Sequence, residues 1–183
     1  MIEAVGRATA QGAIASIAAV LNGTCNLVLE RCGQGLTLEE GLAQAKREGF
    51  AEAEASEDLS GRDAARKLRI LCRHAFGSEP DELELEELDE RVARLARDSV
   101  AAGVRLRQVA HAVKKDAQVH AAVKFKAVAL ETPFGRTGRE WNTLEIGLSD
   151  GTHRVVTGRG AGRWPTTEAV MADLFEIRRR PSR

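Results

Sequence analysis

The chain has 183 residues, and 27 lysines and arginines balance 27 aspartates and glutamates. That is long enough for one domain with a true core, and the even charge gives no electrostatic case for nucleic acid or an anionic membrane. No apolar run approaches the roughly 18–20 residues of a membrane helix, and the first residues lack a signal-peptide pattern, so a cytoplasmic protein is expected.

Taken in chain order, Met1 to Gly12 reads as the end of a helix. Ile14 to Leu21 is apolar and stops at Asn22-Gly23, a strong turn signal, which predicts a strand. Thr24 is placed to cap a helix running to about Cys32 and stopped by Gly33 and Gly35. Thr37-Leu38-Glu39-Glu40 is a capping box for a helix ending near Gly49. Ser60 is placed to cap the next helix, with Asp63 three residues on, and Gly77 ends it. A further helix is predicted over Glu84 to Ser99, with Leu85, Leu88, Val92 and Leu95 on one side.

Beyond Gly103 the period changes from helical to alternating. Val104 to Val109, Val119 to Leu130 and Trp141 to Leu148 read as strands, and Ser149-Asp150-Gly151 as a hairpin turn into Val155-Val156. The last helix begins near Pro165, which suits a first helical turn. Ile177 onward is basic, and residues 178–183 are expected to be a disordered tail. The fold expected is α+β, a mixed and largely antiparallel sheet with helices packed on one face, forming one domain over residues 1–177.

Cys25, Cys32 and Cys72 form no C-x-x-C pair and read as buried thiols in a reducing compartment. The four histidines, His74, His111, His120 and His153, have no metal-ligand spacing, so no metal site is expected.

The segment Glu57-Asp58-Leu59-Ser60-Gly61-Arg62-Asp63-Ala64-Ala65-Arg66-Lys67 is chemically the densest. Stepping 100° per residue, Ala64, Leu68, Leu71, Cys72, Ala75 and Phe76 form an apolar stripe. Arg62, Arg66, Arg69 and Arg73 fall on the opposite side, as a solvated face. Asp63 and Lys67, four apart, lie with Ile70 and His74 along the edge of the apolar stripe. On these residues alone the pair reads first as a surface ion pair worth about 0–1 kcal/mol, and only second as a half-buried site.

Four motifs occur in order: Asn22-Gly23-Thr24-Cys25-Asn26, Gly49-Phe50-Ala51-Glu52, the acid–lysine segment from Asp58 through Asp63 to Lys67, and Gly158-Arg159-Gly160-Ala161-Gly162-Arg163-Trp164-Pro165-Thr166-Thr167-Glu168-Ala169-Val170. Together, over about Gly12 to Ile177, they resemble the catalytic domain of the homoserine dehydrogenase family. The resemblance implies a homodimer and an NAD(P)-dependent interconversion of L-homoserine and L-aspartate 4-semialdehyde, in the threonine and methionine branch of the aspartate pathway. It implies catalytic roles for Lys67 and Asp63, and substrate contacts from Glu52, Asp58, Asn22, Gly23 and Thr24. It places Gly160, Ala161 and Gly162 near the cofactor, though on residues alone these glycines equally make a tight strand-to-helix turn.

This sequence departs from the family pattern in a few places. Phe50 replaces a frequent tyrosine, Ala53-Glu54-Ala55 replaces a frequent A-D-P, and Leu27 stands where an aromatic often follows. Nothing before Asn22 combines a strand, a glycine-rich turn and a helix, so the main NAD(P) site is expected outside this chain, on a separate nucleotide-binding chain or domain. The alternative reading is a stand-alone, non-catalytic binding or scaffold domain derived from that family.

Overall fold

A computed structural model describes residues 1–52 and 54–160, with Thr167, Val170, Met171, Leu174, Phe175 and Arg178 as further helical positions. The helices are α1 (Ile2–Thr9), α2 (Gly23–Gly33), α3 (Leu38–Arg47), α4 (Ser56–Leu59), α5 (Arg62–Phe76), α6 (Glu90–Ala101) and α7 (Pro133–Arg136). The strands are β1 (Ile14–Val20), β2 (Leu83–Leu85), β3 (Val104–Lys115), β4 (Gln118–Ala129), β5 (Trp141–Leu148) and β6 (His153–Arg159).

The six strands form one mixed sheet in the order β2-β4-β3-β1-β5-β6. Only the β2–β4 pair is parallel; the other neighbours run antiparallel. Because strand side chains alternate between faces, the register sorts them cleanly. Ile17 pairs with Ala112 on β3 and Ile146 on β5, and these join Ala110, Val123 and Leu144 on the face that α1 and α5 cover. α5 supplies Ala64, Leu68, Leu71, Cys72 and Phe76 to this core, the stripe its periodicity predicts. Leu68 is fully buried, a burial worth roughly 1.5–3 kcal/mol for a leucine side chain. A second core joins α2, α3 and α6 through Leu27, Val28, Ala45, Val92 and Ala96.

The opposite face is largely open. A row crosses it through Ala122, His111, Ala18, Glu145 and Val155, each paired with the next. Among the described residues only one end is covered, where Phe134 of α7 packs on Val20 and Val109. Beside it the Arg107 guanidinium, almost wholly buried, donates from Nη2 to Glu30 Oε1 at 2.9 Å and from Nε to Phe134 O at 3.3 Å. Burial pushes the Arg107 pKa down, and Glu30 works against that shift.

Three local expectations change. Ser60 does not cap α5. Glu57-Asp58-Leu59 winds into its own short helix, Ser60 closes it, and Gly61 enters α5 at φ 77° with no side-chain cap. Thr24 does not cap α2 either; Asn22 does, its side chain accepting from Cys25 N. The helix expected from Glu84 begins only at Glu90, capped by Asp89, because Leu83–Leu85 pairs with β4 as a strand. Its buried residues are Val92, Ala93, Ala96 and Ser99, while Leu85 and Leu95 are exposed.

The capping box at Thr37 forms, with both of its hydrogen bonds present. Cys25, Cys32 and Cys72 are buried free thiols. Ala53, the Ala161–Gly162 pair, Pro165 and residues 179–183 of the basic tail lie outside the described residues. Among the described residues no helix is long and apolar enough to cross a membrane, and no cluster of His, Cys, Asp and Glu could hold a metal ion.

Candidate active site

The end of β1, the start of α2, the α4–α5 corner and the β5–β6 end surround a cleft of about 780 Å³. Its lining includes seven of the residues singled out by the sequence: Asn22, Gly23, Thr24, Glu52, Asp58, Asp63 and Lys67. Gly160 lines it as well.

Asn22 is the hub. It is 2% exposed, and its Oδ1 accepts from Cys25 N at 2.8 Å, fixing the first turn of α2. Its Nδ2 donates to Asp58 Oδ1 at 2.8 Å and to Asp63 Oδ2 at 3.3 Å. One amide therefore holds two carboxylates of like charge in the same corner. Lys67 Nζ donates to Asp63 Oδ2 at 2.7 Å and to Leu21 O at 3.1 Å. The lysine is tied both to its own helix and to the end of β1, which a free surface ion pair is not. Its side chain is 45% exposed and that of Asp63 25%, so the pair itself adds little stability. Its importance is geometric: the ammonium is held at the cleft wall with one donor left for a ligand.

Local backbone chemistry builds this corner. Gly61, left-handed at φ 77°, reverses the chain between the helix that carries Asp58 and the one that carries Asp63. Thr24 donates its hydroxyl to Phe50 O at 2.7 Å, anchoring the loop that carries Glu52. Cys25 donates to Asp58 O at 3.1 Å. Burial, with Asp58 and Asp63 nearby, pushes its thiol pKa far up, so Cys25 is a packing and hydrogen-bonding group rather than a nucleophile.

The cleft contains residues that motif spacing did not reveal. Glu48, Glu54, Glu57 and Glu140 bring the lining carboxylates to seven, against Arg66, Lys67 and Arg159. Glu57 is engaged by Arg62 and Arg66 at 3.1 and 2.6 Å, which hold its carboxyl below the usual range. Asn142, 9% exposed on β5, also lines the cleft. A Cβ on Gly160 would collide with the Asn142 side-chain amide. Packing against Asn142 thus favours glycine at 160. Glu48, Glu54 and Glu57 lie close in sequence to Glu52 and Asp58, whereas Glu140 and Asn142 come from a distant segment that no local pattern marked.

Such a site can bind a cationic group among Glu52 and Asp58, and it can donate a proton or hydrogen bond from Lys67 to an oxygen nearby.

The family model described as homoserine dehydrogenase matches residues 1–175. A homoserine dehydrogenase of Neisseria gonorrhoeae is 28% identical over 185 residues, covering 98% of this chain and 42% of that protein. The crystal structure of a homoserine dehydrogenase from Thiobacillus denitrificans superposes with a TM-score of 0.84 at 28% identity, over 94% of this chain and 41% of the other. A hyperthermophilic archaeal homoserine dehydrogenase in complex with NADPH superposes with a TM-score of 0.83 at 25% identity, over 96% and 51%. The chain thus spans about half or less of the length of these relatives.

Proposed function

The chain belongs to the homoserine dehydrogenase family, and from that premise we propose that it is the substrate-binding and catalytic part of such an enzyme. Its substrates are L-homoserine and L-aspartate 4-semialdehyde, interconverted with NAD(P) in the threonine and methionine branch of the aspartate pathway, in the cytoplasm. The observation that carries this reading is the joined network Asp58–Asn22–Asp63–Lys67–Leu21 at the cleft wall.

The chain's own groups account for the oxygen and nitrogen ends of the substrate. The Lys67 ammonium faces the alcohol or aldehyde oxygen, polarises the carbonyl, and gives or takes the proton on that oxygen. Asp63 positions Lys67 and passes the proton onward. Asp58 and Glu52 take the substrate ammonium. The Gly23 and Thr24 amides, at the N-terminus of α2, suit a carboxylate.

The described residues do not fit a whole dinucleotide. Among them seven carboxylates line the cleft, which repels a pyrophosphate, and the one parallel strand pair is β2–β4 at the sheet edge. The cofactor's main site therefore belongs to a Rossmann domain, on the same polypeptide or a separate chain, with Gly160 at most bordering it beside Ala161 and Gly162. The open sheet face, with small Ala18 and Ala122 across its middle, supports a homodimer paired through it.

Calorimetric titration of L-homoserine into the chain tests the reading. Lys67→Ala and Asp63→Asn are each expected to weaken binding roughly tenfold or more, the scale of a lost charged hydrogen bond. Equal affinity across the three proteins, or no binding to any, would sink it.

A further inference from the structure

Among the described residues three cations line the cleft, and two are already engaged. Lys67 is held by Asp63 and Leu21 O, and Arg66 by Glu57 Oε2 at 2.6 Å. Arg159 differs. Its closest carboxylate is Glu140 Oε1, 4.0 Å from Nε, too long for a hydrogen bond. Its guanidinium carbon stands 5.3 Å over the ring of Trp141, its register partner across the β5–β6 pair. Stacking fixes the plane of a guanidinium and leaves its edge donors free. With a half-exposed side chain, Arg159 pays little desolvation to take an anion.

Its position is equally specific. Gly160 N donates to Glu140 O at 2.7 Å, which ties the end of β6 to the segment before β5. That segment touches the start of α2: a Cβ built on Gly23 would lie 3.9 Å from Glu140 Cα and closer still to Arg139 O. The stacked arginine therefore stands on the side of α2's first turn where β5 and β6 end. Asn22 gathers Asp58 and Asp63 on the side of α4 and α5. The cleft is bipolar, with an acidic wall and one uncommitted cation separated by a helix start.

We propose that Arg159 binds the carboxylate of an α-amino acid whose ammonium lies against Glu52 and Asp58, so that Arg159 sets the cleft's preference for a zwitterion. The inference rests on the reading of this cleft as an amino-alcohol site, and names the group that recognises the end of the substrate remote from the reacting oxygen. A bidentate guanidinium–carboxylate contact supplies direction as well as charge.

The test is calorimetric titration of three compounds into the chain, Arg159→Met and Arg159→Lys. They are L-homoserine; 4-hydroxybutanoate, which lacks the ammonium; and 3-aminopropan-1-ol, which lacks the carboxylate. Arg159→Met is expected to weaken L-homoserine and 4-hydroxybutanoate roughly tenfold or more, to leave 3-aminopropan-1-ol unchanged, and to be partly rescued by lysine. An unchanged L-homoserine affinity in Arg159→Met overturns the proposal, as does an equal loss for all three ligands, which would mark a structural role. Adenosine diphosphate binding that depends on Arg159 while L-homoserine binding does not would assign the arginine to a phosphate, and also overturns it. Failure of the parent chain to bind L-homoserine at all is the different result, which removes the reading of the cleft itself.

Discussion

Asn22 concentrates three duties in one side chain, divided between two atoms. Its oxygen caps α2, and its nitrogen bridges Asp58 and Asp63. Losing a cap costs about 0.5–2 kcal/mol, and leaving two carboxylates unbridged adds to that. Asn22→Ala is expected to lower stability by about 2 kcal/mol in urea denaturation. Asn22→Asp is the sharper probe, because it keeps the capping oxygen but sets a third carboxylate against two others. Neighbouring negative charge raises a carboxyl pKa, so in the variant the folded state binds protons more readily than the unfolded chain. The stability difference between Asn22→Asp and the parent should therefore be larger at pH 7 than at pH 5. A difference that stays constant with pH would show that the amide does not mediate this contact.

At the scale of elements, the site hangs on the α4–α5 corner. A Cβ on Gly61 would meet Val123, Gln108 and Glu86 only at 3.5–3.6 Å, ordinary contact distances, so the demand for glycine comes from φ alone. Gly77, at φ 75° after α5, has nothing within 4 Å and the same backbone demand. Placing a side chain in this region costs about 1–2 kcal/mol. Gly61→Ala and Gly77→Ala should therefore destabilise the chain about equally. Only Gly61→Ala should also weaken L-homoserine binding, since it alone sits between Asp58 and Asp63. Equal affinities in the two variants would show that the corner does not position the acids.

This corner also marks how far the sequence could be read. Spacing placed Asp63 and Lys67 on one face and ordered the four motifs, because those relations are local. It credited helix caps to Ser60 and Thr24, because both are good capping residues judged by type. The Gly61 reversal and the competing Asn22 side chain decided the outcome, through contacts with β1 and α2 that no local pattern contains. Asn142 went unmarked, and Arg159 stood in the fourth motif without a role, for the same reason, since both reach the cleft only through the β5–β6 pairing. The longer strands were legible, as the alternation after Gly103 has the period that a one-sided core imposes, whereas the short β2 was read as the start of a helix.

For the molecule as a whole, the sheet has one face packed and one open. Burial and Lys126 hold the His111 pKa below its ordinary 6.5, so near neutral pH the middle of the open face carries no imidazolium charge. A row with the small Ala18 at its centre suits a second copy laid against it. Sedimentation velocity is expected to find a dimer for the parent chain and a monomer for Ala18→Arg, with L-homoserine binding unchanged because Ala18 lies away from the cleft. A parent chain that sediments as a monomer would remove the sheet face as the pairing surface.

The central position of β1 has a consequence in time. This strand comes from the chain's beginning, yet its two neighbours are drawn from residues 110–113 and 143–148. As the polypeptide emerges from the ribosome, Ile17 and Ala19 must wait through six helices and three strands before both edges find partners. Contacts so distant make closure the slow event of folding, and the interval leaves an apolar segment without its cover. The residues that end this strand, Leu21 and Asn22, are those to which Lys67, Asp58 and Asp63 attach. The cleft therefore gains its final geometry only when the last antiparallel pairing locks the first strand in place.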